Sequence, residues 1–127
     1  MFEQSQAYSG FAVKDIPEAK AFYGETLGFK VDEQYDGGLL DVQVPGGNHV
    51  LIYQKDDFVP ATYTILNFPV PDVDGAVDDL VRAGVEMARF EGFDQDGKGI
   101  ARGQGPTIAW FRDPAGNILA VHSNEPM

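Results

Sequence analysis

Ile16, Ala19, Phe22, Tyr23 and Leu27 recur at the three- and four-residue spacing of a single helical face. That period predicts a short amphipathic helix following a first strand near residues 7–14. Asp15 can cap its free amides, Pro17 suits its first turn, Glu18 stands where a capping box places its acid, and Gly28 supplies the stop. A second helix follows the same design, with Asp72 as cap, Val73, Ala76, Val77, Leu80 and Val81 as its buried face, and Gly84 as its stop. Alternating β-branched and aromatic runs predict strands at KVDEQY, LLDVQV and HVLIYQ in the first half, and at TYTILNFPV, VEMARFE, PTIAWFR and NILAVHS in the second. Gly37-Gly38, Pro45-Gly46-Gly47 and Asp113-Pro114-Ala115-Gly116-Asn117 supply turns between them. The glycine-rich stretch GFDQDGKGIARGQG, residues 92–105, has no hydrophobic period and is expected to be a long mobile loop.

The two halves are copies of one another. Phe11, Val13, Asp15, Ile16 and Ala19 recur as Phe68, Val70, Asp72, Val73 and Ala76, at a constant offset. GGNHVLIY at 46–53 resembles PAGNILAV at 114–121, with Gly47-Asn48 opposite Gly116-Asn117. The expected fold is therefore α+β: one domain of two tandem βαβββ modules, about 6–56 and 62–124, whose curved sheet surrounds a cleft.

Composition narrows the partners. A length of 127 residues suffices for a real core, with about two thirds of the chain's surface removed from water. The absence of cysteine excludes disulfides, thiolate metal sites and thiol nucleophiles. A net charge of −11 without a basic stripe argues against nucleic acid, and favours cationic over anionic ligands. The first twenty residues contain no signal-like or membrane-spanning run, so a cytoplasmic location without membrane partners is expected.

FAVKDIPEAKAFYGETLGFKV and IAWFRDPAGNILAV resemble the vicinal oxygen chelate superfamily, the group of glyoxalases, bleomycin-resistance proteins and extradiol dioxygenases. The resemblance spans nearly the whole chain. In metal-dependent members it implies four ligands, one from the first and one from the last strand of each half. The matching positions are Tyr8, Leu51, Ile65 and Ala120. None is a histidine, carboxylate or glutamine, so neither a metal nor another cofactor is expected. A relocated site would need His49 and His122 joined by Asp41 or Glu86, and nothing in the spacing requires it.

Strand alternation places Tyr8, Gly10, Ala12, His49, Leu51, Tyr53, Ile65, Asn67, Trp110, Ala120 and His122 on the faces that would line the cleft. Trp110 either lines the pocket or packs in the core. Arg102 and Lys98, in the glycine-rich loop, either close over an anionic group or stay solvated. Asp56-Asp57 and Asp78-Asp79 read as solvated surface, and Asp113 and Asn117 as turn structure. The resulting expectation is a metal-independent small-molecule-binding protein of the glyoxalase/bleomycin-resistance type. The resemblance implies a homodimer holding an aromatic or cationic ligand. Substituting Trp110 by Ala is expected to weaken binding and leave the fold intact. The alternative is a lyase, isomerase or dioxygenase-like enzyme using a relocated metal, or His49 or His122 as acid and base.

Overall fold

The computed structural model describes residues 1–103 and 105–124. It divides into two compact units, Met1–Val59 and Pro60–Met127. The first runs β1 (Ser9–Val13), α1 (Ile16–Lys20), a π-helical segment (Ala21–Thr26), β2 (Lys30–Gln34), β3 (Leu39–Gln43) and β4 (His49–Gln54). The second runs β5 (Thr64–Val70), α2 (Val73–Arg82), β6 (Met87–Ala88), β7 (Ile108–Arg112) and β8 (Ile118–Ser123). Sheet orders are β1-β4-β3-β2 and β5-β8-β7-β6. In each, the first strand lies parallel to the last and the remaining pairs are antiparallel. The fold is α+β, and the two βαβββ units share one topology.

In the first unit Phe11, Val13, Leu40, Val42, Val50 and Ile52 form a buried sheet face, covered by Ile16, Ala19 and Tyr23. Asp15 caps as expected, its Oδ1 accepting the Glu18 amide at 3.1 Å. The helix does not continue in the α form to Leu27. From Ala21 it widens to a π-helix, with Leu27 N–H donating to Phe22 O at 2.9 Å and Phe29 N–H to Tyr23 O at 3.0 Å, and it stops at Gly28, φ +78°.

In the second unit Ala109, Phe111, Leu119 and Val121 face α2, which buries Val73 and Val77 against them. Two helix expectations are corrected. Asp72 has the extended backbone of a cap, but its side chain makes no cap bond. Its Oδ2 sits instead in the space left by Gly75, 2.6 Å from where a Cβ would be. Val81 is 55% exposed, because eight residues carry it about 80° past Val73 around the helix.

The glycine-rich segment is folded back rather than free. Gln95 accepts the Phe90 amide at 2.8 Å and donates to Ala88 O and Gly99 O at 3.0 and 2.8 Å. Asp96 Oδ1 accepts the amides of Lys98 and Ile100 at 2.9 and 3.0 Å. Ala101 bridges to Ile108 by two backbone bonds of 2.8 and 3.1 Å, and Ile100 and Ala101 are buried. Side-chain-to-backbone bonds supply the order that hydrophobic periodicity does not report. They also truncate the strand expected at VEMARFE to Met87–Ala88, since Phe90 turns its amide to Gln95. No helix among the described residues is long and apolar enough to cross a membrane.

Candidate functional site

Each sheet has one face toward its helix, and the other face carries the residues singled out by alternation. In the first unit, register sets Gly10 and Ala12 beside Leu51 and Tyr53, Asp41 beside Leu51, and Gln43 beside His49. His49 and Leu51 are half-buried, whereas Tyr8 and Tyr53 are exposed. Tyr8, one residue before β1, lays its ring 4.7 Å from the His49 imidazole at 36°. His49 Nδ1 stands 2.7 Å from Asp41 Oδ1. A carboxylate only accepts, so Nδ1 carries a hydrogen, and in the neutral imidazole Nε2 is the acceptor. Sequence reading placed Asp41 only as a prospective metal ligand. The signal was there in LLDVQV, where Asp41 is the one charged residue of an otherwise apolar and amide strand.

The corresponding face of the second unit is apolar and already covered. Trp110 pairs with Ala120 and with Ala88, and Ile108 with His122. Ala88, Ala101, Trp110, Ile118 and Ala120 form one buried cluster, flanked by Phe90 and Ile108. Phe90 meets Trp110 edge-on at 5.5 Å, Phe93 lies 4.8 Å from it, and the Arg112 guanidinium sits 5.0 Å above the Phe90 ring. Trp110 is thus part of the core, 8% exposed and on the face away from α2. Phe90 and Phe93 were missed as neighbours of Trp110, because Phe90 reads as part of the strand VEMARFE and Phe93 lies in the loop without a period.

Asn67 is exposed beside Ala120. Ile65 is half-buried at a slip in register, where Thr64 pairs with Ile118 and Leu66 with Leu119. His122 is half-buried, and its Nδ1 donates to Ser123 O at 2.9 Å, so in the neutral ring Nε2 is the acceptor. Arg102 stands elsewhere. Its guanidinium is held at the first turn of α2, 3.1 and 3.2 Å from the two Asp74 oxygens and 3.2 Å from Asp96 Oδ2. Lys98 joins the same group, 2.9 Å from Asp78 and 3.4 Å from Asp74. The Arg102 hydrogen bond holds the Asp74 carboxyl below the usual aspartate value, and the Ile100 amide does the same for Asp96. In turn the Asp78 carboxylate raises Lys98, and Asp74 raises Arg102. An incoming anion would compete with three carboxylates there.

A divalent ion does not fit the four positions implied by resemblance. Leu51, Ile65 and Ala120 offer alkyl groups and Tyr8 a phenol, and Ala120 is wholly buried. Among the described residues no group of three histidine, aspartate or glutamate side chains is placed to hold an ion.

Two βαβββ units of one topology, each with its helix on one face of a mixed four-stranded sheet, define the fold class. The chain belongs to the glyoxalase/bleomycin resistance protein/dioxygenase superfamily, whose sequence model matches residues 6–121. Among curated proteins none matches. Similar solved structures include TnmS3, an antibiotic binding protein from Streptomyces sp. CB03234, 26% identical over 94% of this chain and 97% of that one, TM-score 0.65. A putative glyoxalase family protein from Bacillus anthracis is 23% identical over 94% and 96%, TM-score 0.68. A lactoylglutathione lyase from Agrobacterium tumefaciens is 19% identical over 94% of each chain, TM-score 0.66.

Proposed function

We propose that this protein binds a small aromatic molecule without a metal ion, as a cytoplasmic homodimer. The observation that carries the reading is the alkyl character of Leu51, Ile65 and Ala120, at positions where metal-dependent relatives are expected to present donors. Family membership and the likeness to an antibiotic binding protein support a binding role. Trp110 supplies the stacking surface once the exposed Phe93 ring that lies on it is displaced, with Ala120, Ile65 and Asn67 on the same sheet. Tyr8, His49, Leu51 and Tyr53 form the ligand-type face of the first unit. Stacking or cation–π contact contributes about 0.5–2 kcal/mol per ring.

A thermal-shift screen with planar aromatic and cationic molecules, run before and after chelation, tests this. A ligand at one hundred times its Kd adds about 2.7 kcal/mol of stability. The expected result is a rise in Tm that chelation leaves unchanged. A rise lost on chelation and restored by a divalent ion overturns the metal-free reading.

A further inference from the structure

Chemistry that stacking does not use is gathered in the first unit. Asp41 and His49 line a hollow of about 690 Å3 together with Lys30, Gln43 and the turn at residues 44–48, a volume suited to a small ligand. The two side chains are 26% and 39% exposed, open enough to be reached and sheltered enough to be held in place. Asp41 Oδ1, 2.7 Å from Nδ1, selects the tautomer with Nε2 as acceptor. The Tyr8 ring covers the imidazole at 4.7 Å. Register sets Lys30 beside Gln43 and Asp32 beside Asp41, so a cation and a second carboxylate share the face.

This combination selects a kind of ligand. A permanently anionic ligand meets Asp41 and Asp32 before any proton has moved. A cation meets Lys30 and offers nothing that specifically uses an acceptor nitrogen. A neutral group that carries an acidic hydrogen matches the acceptor, and once ionised it matches Lys30.

We propose that the hollow binds a small molecule through a weakly acidic hydroxyl, a phenol or an enol, which gives its proton to His49 Nε2. The O–H bond breaks with its electron pair left on oxygen, and an Nε2–H bond forms. The proton stays on the imidazole, between the Asp41 carboxylate and the new oxyanion, so no further reactant is consumed. Asp41 is a positioning residue: it fixes the tautomer and faces the charge created on the ring, and Lys30 faces the oxyanion. This deepens the small-molecule reading by naming the ligand chemistry of the first unit.

The probe is 4-nitrophenol, which absorbs in the visible as the phenolate and not as the phenol. The intact protein is titrated into probe at about pH 7, where a free imidazole is mostly neutral, and the phenolate band of the free probe is subtracted. The expected result is a saturable phenolate band, with affinity reduced about tenfold or more in His49→Gln and in Asp41→Asn, the loss typical of a hydrogen bond to a charged group. Long-range proton–nitrogen NMR of the imidazole supplies a second readout. It should show hydrogen on Nδ1 in the unmodified protein and a mixture of tautomers in Asp41→Asn. Circular dichroism verifies that both variants fold. Absence of the band at the highest soluble protein concentration, an undiminished band in His49→Gln, or a ring carrying its hydrogen on Nε2 overturns the proposal. A failed aromatic screen alongside a clear phenolate band would remove only the Trp110 assignment.

Discussion

Phe93 lies 4.8 Å from Trp110 with the rings inclined at 58°, and it is 48% exposed while the indole beneath it is 8% exposed. A loop side chain therefore occupies the surface on which a ligand ring would stack. Replacing Phe93 by Ala should expose the indole, shift the emission of the only tryptophan to longer wavelength, and cost roughly 1 kcal/mol from the lost ring pair. Unchanged emission would mean that Phe93 does not cover Trp110 in solution.

Burial also alters what a Trp110 substitution can report. Its packing against Ala88, Ala101, Ile118 and Ala120 makes Trp110→Ala a cavity-forming change that costs about 3–5 kcal/mol, which corrects the expectation that this variant leaves the fold intact. Trp110→Phe keeps a ring in place and is the better binding probe. Urea denaturation of the two variants is the check, with a much larger drop in midpoint for Ala than for Phe.

The turn between β7 and β8 depends on one buried carboxylate. Asp113 Oδ1 accepts the amides of Ala115 and Asn117 at 3.0 and 2.9 Å, and Oδ2 accepts Asn117 Nδ2 at 3.1 Å. Asp113→Ala leaves these donors unsatisfied beside a buried Asn117, and should lower stability by about 2–4 kcal/mol. A denaturation midpoint within error of the unmodified protein would refute this account of the turn.

Acid and salt should weaken the tie between the loop and α2. Asp74 and Asp96 titrate lower when folded, so the unfolded chain takes up protons first as pH falls. Their contribution is complete above about pH 4 and is lost as pH drops from there toward the depressed folded values. Lys98, raised when folded, contributes fully below about pH 10 and loses that contribution as pH rises through its folded value. The stability difference between the unmodified protein and Asp74→Asn, followed from about pH 3 to pH 7, should shrink at the acid end and in about 1 M salt. A difference independent of both would leave the ion pairs without a role.

Gly75 offers a stabilising change. An Ala Cβ there meets only the far end of the Asp72 side chain, and that carboxylate makes no cap bond to lose. Gly75→Ala should therefore gain about 0.5–1 kcal/mol from helix propensity. A lower Tm would show that the Asp72 carboxylate has nowhere to move.

Some of these features were legible along the chain and others were not. The duplicated halves, the Asp15 cap, the stops at Gly28 and Gly84, and the buried faces of β1, β3 and β4 follow from residue type and period. The strand HVLIYQ matches β4 residue for residue. Asp72 makes no side-chain cap bond, and its carboxylate lies where a side chain at position 75 would be, a placement that residue type does not report. The α-period past Lys20 failed because a π-turn keeps roughly the same apolar residues inward while changing the bonds.

Sequence by itself determined the fold, since helix and strand periods and their repetition act between near neighbours. It also settled that three of the four positions matched to metal ligands hold alkyl groups, because that is a matter of residue identity. Tertiary structure alone decided that Asp41 meets His49, that Phe93 covers Trp110, and that Arg102 turns to Asp74. Those pairings depend on strand register and on where a loop without periodicity is tied down by side-chain-to-backbone bonds, neither of which leaves a hydrophobic period in the sequence.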